Sequence, residues 1–216
     1  MDMFAEVVVS GWLNRQNQSN TANDGGTGGE EAAAGGQRGC GRIVRLQGFD
    51  RGIFGGNFHT HNALPLLPGL DVVVHSNGAD WVKGWRYAVR QAKAGRVVMV
   101  VDSTDLLNRR HVNDGDGAML LPYPPAPEEL AFDAVIRHGH SSSPQQPDDL
   151  TIVTYGNGVV AARRTQESLK ASHGANVGIL EVPCVSQVPL EALATAIAEA
   201  GGGAETPQPI LFADVC

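Results

Sequence analysis

Cysteine is scarce. The 216 residues hold three, Cys40, Cys184 and Cys216, far apart and without a CxxC pair. That number and spacing argue against a disulfide framework and against a structural zinc site, and they fit a reducing compartment. Aromatic residues are few, at 6%, and charged residues make up only 18%. Sixteen Lys and Arg against 23 Asp and Glu leave a formal charge of -7, with no basic stripe to neutralise a run of phosphates, so a nucleic-acid role is disfavoured. Long apolar runs are missing too, which leaves no legible membrane span. An amino terminus carrying Asp2 and Glu6 reads as neither signal nor transit peptide. What is present is 42% hydrophobic residues, enough to bury the core of one large domain or two small ones and to exclude wholesale disorder.

In chain order, residues 3 to 15 place Phe4, Val7, Val8 and Trp12 at helical spacing, which predicts an amphipathic helix. Residues 17 to 41, rich in Gly, Asn and Ser, read as a disordered insertion whose burial would not repay its ordering entropy. A strand follows at 42 to 46, then a Gly- and Pro-bearing loop with two histidines, then an apolar strand from Leu70 to Val74. Asp80 is expected to cap a helix whose buried stripe is Val82, Trp85 and Val89. Gly95 should end it before the apolar strand at 97 to 101. Continuous Val-rich strands predict a parallel sheet covered on both faces. Residues 113 to 148 hold six of the twelve prolines and read as a linker between domains. A second unit is expected beyond it, with strands at 150 to 155, 177 to 182 and a buried-type strand at 209 to 213. Helices at 159 to 172, striped by Val159, Ala162, Gln166 and Leu169, and at 189 to 200 should connect them. The fold class expected is therefore α/β, with two small doubly wound parallel-sheet domains, residues 1 to 112 and 149 to 216.

Two constellations carry candidate chemistry. His59-Thr60-His61 lies in the Gly-rich loop after the first strand, where a histidine at the mouth of a parallel sheet is suited to proton transfer or carboxylate binding. Two solvated loop histidines are the plainer alternative, and a metal held by His59 and His61, or by His138 and His140, lacks an identifiable third ligand. Gly156-Asn157-Gly158-Val159-Val160-Ala161 follows a strand and opens a helix, with Glu181 ending the next strand. This has the GxGxxA form of a dinucleotide fingerprint, in which the acid would hold a ribose. A tight strand-to-helix turn would use the same glycines.

Five elements in order carry a family resemblance: His59 to Asn62, Pro68 to Val73, Lys83-Gly84, Val97 to Asp102, and Asp149 to Gly156. Together they resemble the beta subunit of the thiamine-diphosphate-dependent 2-oxo acid dehydrogenases, with the branched-chain type nearest and the pyruvate type the alternative. The resemblance implies part of a transketolase-like pyrimidine-binding domain, a linker, and part of a transketolase carboxyl-terminal domain. It implies oxidative decarboxylation of branched-chain 2-oxo acids with acyl transfer to lipoamide. The partners it implies are an alpha subunit, which holds most of the thiamine diphosphate and its magnesium, and a lipoyl acyltransferase core. A mitochondrial matrix location comes with the family. His59 stands at the position of the family's active-site histidine, and His61 stands in the substrate loop where relatives carry Gln.

The chain departs from the family elsewhere. Gln91-Ala92-Lys93 replaces an Asp-x-Asn potassium loop, Glu181-Val182-Pro183-Cys184 replaces an Asp-Leu-Arg-Thr-like run, and Asp214 takes the acid position of a His-Glu pair. The family's thiamine-activating glutamate is expected ahead of Met1, with no counterpart in this sequence, so the chain is expected to be inactive alone. Two further readings remain open beside this one: a non-catalytic paralogue acting in assembly of the complex, and an independent dinucleotide-binding α/β protein.

Overall fold

The computed structural model describes residues 41 to 47, 69 to 139, 147 to 201 and 208 to 214. The expected helix at 3 to 15, the insertion as far as Cys40, and the His59/His61 loop lie outside the described residues.

Eleven elements follow one another among the described residues: β1 (Arg42–Gln47), β2 (Leu70–Val74), α1 (Gly78–Lys93), β3 (Val97–Asp102), α2 (Thr104–Leu107), β4 (Ile136–His138), β5 (Leu150–Thr154), α3 (Gly158–His173), β6 (Val177–Glu181), α4 (Leu190–Ala200) and β7 (Ile210–Phe212). They form two sheets, one of order β1-β3-β2 and one of order β4-β6-β5-β7. Every pairing is parallel except β4 with β6. Both β2-α1-β3 and β5-α3-β6 join neighbouring parallel strands through a helix, the connection such a pair requires. The architecture is α/β, as the strand composition predicts.

The Val-rich strands are buried throughout because each sheet is covered on both faces. In the first sheet Val73, Val98 and Val100 face α1 and Phe132. Val72, Val74 and Met99 face the other way, toward Tyr155 and Val185 of the second unit. The second sheet has helices on both sides: Ile152 and Ile179 pack with Ala162 of α3, while Val153 and Leu180 pack with Leu193 of α4.

Several expectations are corrected. The cap of α1 is Asn77, not Asp80: its side chain accepts the Asp80 amide at 2.9 Å and donates to the Asp80 carboxylate at 2.7 Å, a reciprocal box three residues long. The buried stripe of α1 is Asp80, Gly84 and Ala88, whereas Val89 is 41% exposed. Apolar spacing misleads here because a bulky neighbour, His75, demands the glycine side of the helix. The segment 113 to 148 is not connection alone, since β4 within it pairs antiparallel with β6 and closes one edge of the second sheet. Its residues Ile136, Arg137 and His138 are half-buried, so no continuous apolar run announced the strand. Conversely β7 is exposed at all three residues, from 40% at Ile210 to 67% at Phe212, although its sequence reads as a buried strand. Among the described residues it is an edge strand of its sheet, paired with β5.

One stretch stitches the two sheets together. Beyond β6 the chain runs antiparallel to β2: the Val74 amide donates to the Pro183 carbonyl at 2.8 Å and the Val185 amide to the Val72 carbonyl at 2.9 Å, around a bridge between Val73 and Cys184.

Candidate functional site

Parallel strands put their carboxyl ends at one edge of the sheet, and ligands of open α/β folds gather there. At that edge His75 follows β2, Asp102 ends β3, Arg45 comes from β1, and the amino terminus of α1 opens at Asn77-Gly78. Together with Ser103, Arg109 and the apolar residues of α2 they line a cavity of about 310 Å³. The Asp102 carboxylate, 4% exposed, accepts from the Trp81 indole at 2.8 Å and from the Arg45 Nε at 2.5 Å. Arg45 also stacks over Trp81, 5.6 Å from the ring centre. Across the cavity, Arg109 grips both oxygens of Asp105 at 2.8 and 2.9 Å.

Three lining groups have unused hydrogen-bonding capacity while buried: both ring nitrogens of His75, the Ser103 hydroxyl and the Arg109 Nε. Native proteins rarely leave such groups unsatisfied. Burial holds the His75 imidazole below its ordinary value of 6.5, against the opposing pull of Glu181, Asp80 and Asp102. The ring is therefore neutral near pH 7. Its Nε2 edge lies over Gly84, where a Cβ would come within 2.1 Å. Asp80 beneath it stays ionised: burial pushes its carboxyl up, but hydrogen bonds from Lys83 and Asn77 outweigh burial and hold it below 3.8.

A second cluster lies at the junction of the two units. Glu181 is fully buried and accepts from the Ser76 amide at 3.0 Å, the Ser76 hydroxyl at 2.7 Å and the His138 ring at 2.5 Å. Its carboxylate is thus spent on holding β6 to the end of β2. This bears on the GxGxxA segment. The amides of Gly158, Val159 and Val160, which a pyrophosphate would need, already donate to Tyr155, Gly156 and Asn157. Gly156 adopts φ +51° and lies so close to Val74 that a Cβ would come within 2.7 Å of its Cγ1. The glycine turn is therefore a packing device, and the acid expected to hold a ribose is not available to one. Asp214 accepts a hydrogen bond from the Tyr155 hydroxyl.

Of the residues singled out from sequence, His59 and His61 lie outside the described residues, as does His140. His138 is paired with Glu181, and no cluster of three or more His, Cys, Asp or Glu suited to a metal occurs among the described residues. Sequence reading missed His75, Ser103 and Arg109. The usable signal was positional: His75 and Ser103 lie just past apolar strands, and Arg109 follows the short helix α2.

Activation of thiamine diphosphate requires a carboxylate free to bond the aminopyrimidine ring. Each buried carboxylate described is committed: Asp71 to Arg96, Asp80 to Lys83 and Asn77, Asp102 to Arg45 and Trp81, Asp148 to Arg137, and Glu181 to Ser76 and His138. The described residues of this chain do not fit that task.

No protein-family model matches the chain, and no curated protein does. Among solved structures it is similar to a split-gene transketolase, an inactive beta4 tetramer, at 15% identity and TM-score 0.48, covering 81% of this chain and 58% of that one. A transketolase variant from Pichia stipitis matches at 13% identity and TM-score 0.49, covering 81% of this chain and 23% of that one. A transketolase from Campylobacter jejuni matches at 16% identity and TM-score 0.44, covering 67% and 20%. The chain thus spans little more than half of the first and about a fifth of the other two.

Proposed function

We propose that the chain is a beta-type component of a thiamine-diphosphate-dependent 2-oxo acid dehydrogenase of the branched-chain type, acting beside an alpha subunit and a lipoyl acyltransferase core in the mitochondrial matrix. The observation that carries this reading is the order of parts. A β-α-β unit runs from Leu70 to Asp102, and a second runs from Leu150 to Glu181. Four of the five segments that resemble the family, all but His59 to Asn62, fall on or beside these units in the same order. In this reading His59 contributes to the site that receives the substrate carboxylate and passes the acyl group to lipoamide, and His61 lies beside it.

A second reading, in which the chain serves assembly rather than catalysis, is favoured by one observation: all five buried carboxylates named above already have partners. The two readings separate in one experiment. The chain is coexpressed with a branched-chain alpha subunit, and carbon dioxide release from 3-methyl-2-oxobutanoate is measured with thiamine diphosphate and magnesium. Copurification with release that falls at least tenfold in His59→Ala supports the catalytic reading. Copurification without release supports assembly, and failure to copurify overturns both.

A further inference from the structure

An aspartate isomerises most readily when its carboxyl is free to fold back along the chain, the next residue has no Cβ, and that residue's amide nitrogen is uncommitted. Asn or Asp precedes Gly at four places among the described residues: Asn77-Gly78, Asp114-Gly115, Asp116-Gly117 and Asn157-Gly158. One dipeptide chemistry therefore sits in four settings. Asp24-Gly25 lies outside the described residues.

Three of the four are held. The Asn77 side chain is locked as the cap of α1 by its two bonds to Asp80. Gly158 is buried, and its amide donates to the Tyr155 carbonyl at 3.0 Å. The Asp116 carboxylate accepts from the amides of Ala118 at 2.9 Å, Asn113 at 2.8 Å and Val112 at 3.1 Å, while the Gly117 amide donates to His111 Nδ1 at 2.6 Å. The Ala118 and Asn113 amides also hold the Asp116 carboxyl below its ordinary 3.8, which leaves less of the protonated acid that can lose water. All of these bonds must open before nitrogen meets carboxyl, and each lowers the population that reacts. Asp114 differs. It and Gly115 are exposed in the loop between α2 and β4, and among the described residues the Asp114 carboxylate has no hydrogen bond or ion pair and the Gly115 amide no acceptor. Gly115 has φ +80°, with no atom within 4 Å of where a Cβ would stand. A single turn bond, from the Asp116 amide to the Asn113 carbonyl at 3.2 Å, spans the pair.

We propose that Asp114 is a modification site: it isomerises spontaneously to isoaspartate, and the product is a substrate for a carboxyl methyltransferase that uses S-adenosylmethionine and recognises isoaspartate. The Gly115 nitrogen attacks Asp114 Cγ, loses its proton and expels the carboxyl oxygen, so that one water leaves and a succinimide forms. Water then adds at the former backbone carbonyl and breaks its bond to nitrogen. The chain now runs through Cβ and Cγ, and the freed α-carboxylate takes the methyl group while S-adenosylhomocysteine is released. The extra backbone atom enters one residue after Asn113, whose side chain donates to the Glu167 carboxylate of α3, and two after Val112, whose carbonyl accepts from Arg164 Nε at 2.7 Å. Isomerisation therefore displaces Asp116 from the amides of Val112 and Asn113 and loosens the loop where it is pinned to α3. The site is independent of the dehydrogenase reading.

The test is to age the intact chain at 37 °C and pH 7.4, natively and in guanidinium chloride, and to locate isoaspartate in the tryptic peptide 111–137 by electron-transfer fragmentation. A second portion is treated with a protein isoaspartate methyltransferase and labelled S-adenosylmethionine, and label is read in the same peptide. In the native chain isoaspartate is expected at Asp114 at least tenfold above Asp116, with label rising in step. In denaturant the two sites should converge to within about twofold, since the bonds that protect Asp116 are gone. Asp114→Glu, whose ring closure would need a six-membered imide, should remove most of the label with an unchanged melting temperature, because the replaced side chain holds nothing among the described residues. No isoaspartate at Asp114, equal or greater conversion at Asp116 in the native chain, a site ratio unchanged by denaturant, or label undiminished in Asp114→Glu would overturn the proposal.

Discussion

Single atoms decide much of this structure. His75 needs Gly84 beneath it, because any Cβ at that position would sit 2.1 Å from the ring. Gly84→Ala should therefore destabilise the chain by about 1–3 kcal/mol, the usual cost of overpacking, measured by urea unfolding. Leu in place of His75, which relieves no clash, should not restore the loss. The same histidine sets a pH dependence. Its folded value lies below the 6.5 of the free group, so between the two the unfolded chain binds the extra proton. Stability should fall as pH drops through 6.5, and His75→Leu should flatten the melting temperature between pH 7.5 and 5.5. An unchanged slope in that variant would assign the effect to another group. Asp80 acts lower: its folded carboxyl is held below 3.8, so its contribution is present above that value and is lost as pH falls further.

At the scale of elements, helix ends and edge strands separate what the sequence made legible from what it did not. The strands β2, β3, β5 and β6 were visible because burial on both faces demands unbroken apolar runs, as in Val97 to Val101. The α3 stripe was visible as well, with Val159 and Ala162 buried and Leu169 against the core. The α1 stripe was legible in part: Trp85 packs against the core as expected, whereas Val89 is exposed and the fully buried positions are Asp80, Gly84 and Ala88. Not legible was β4, whose three residues alternate neither cleanly nor apolarly and whose pairing partner lies far along the chain, Ile136 opposite Glu181. Asn77 gave the true start of α1, and replacing it by Ala should cost about 1 kcal/mol by loss of the cap to Asp80. At the start of α3, Gly156→Ala should cost more, about 3 kcal/mol, because a left-handed backbone and a clash with Val74 add. Thermal unfolding of the two variants side by side checks the order of these effects.

For the molecule as a whole, the cavity was legible only by position, since pairing of Asp102 with Arg45 joins residues 57 apart in sequence. The junction was legible even less. Glu181 read as a ligand-holding acid at a strand end, and it is instead the buried tie between the two units. Removing it leaves the Ser76 amide and hydroxyl without their acceptor. Glu181→Ala should therefore cost about 3 kcal/mol or more, from these two donors and the His138 ring at about 1–3 kcal/mol each, and should speed proteolytic cleavage within residues 113 to 135. Unchanged cleavage would mean that the strand pairing around Val73 and Cys184 holds the units together without it.

The central functional claim concerns a partner, so the most direct measurement is native mass spectrometry of this chain mixed with an equimolar branched-chain alpha subunit. The account predicts a stable species containing both chains in equal number, retained when the non-cognate alpha subunit of a pyruvate-type enzyme is added in competition. Two separate populations, with the 22.7 kDa chain carrying no alpha subunit at any ratio, would contradict it.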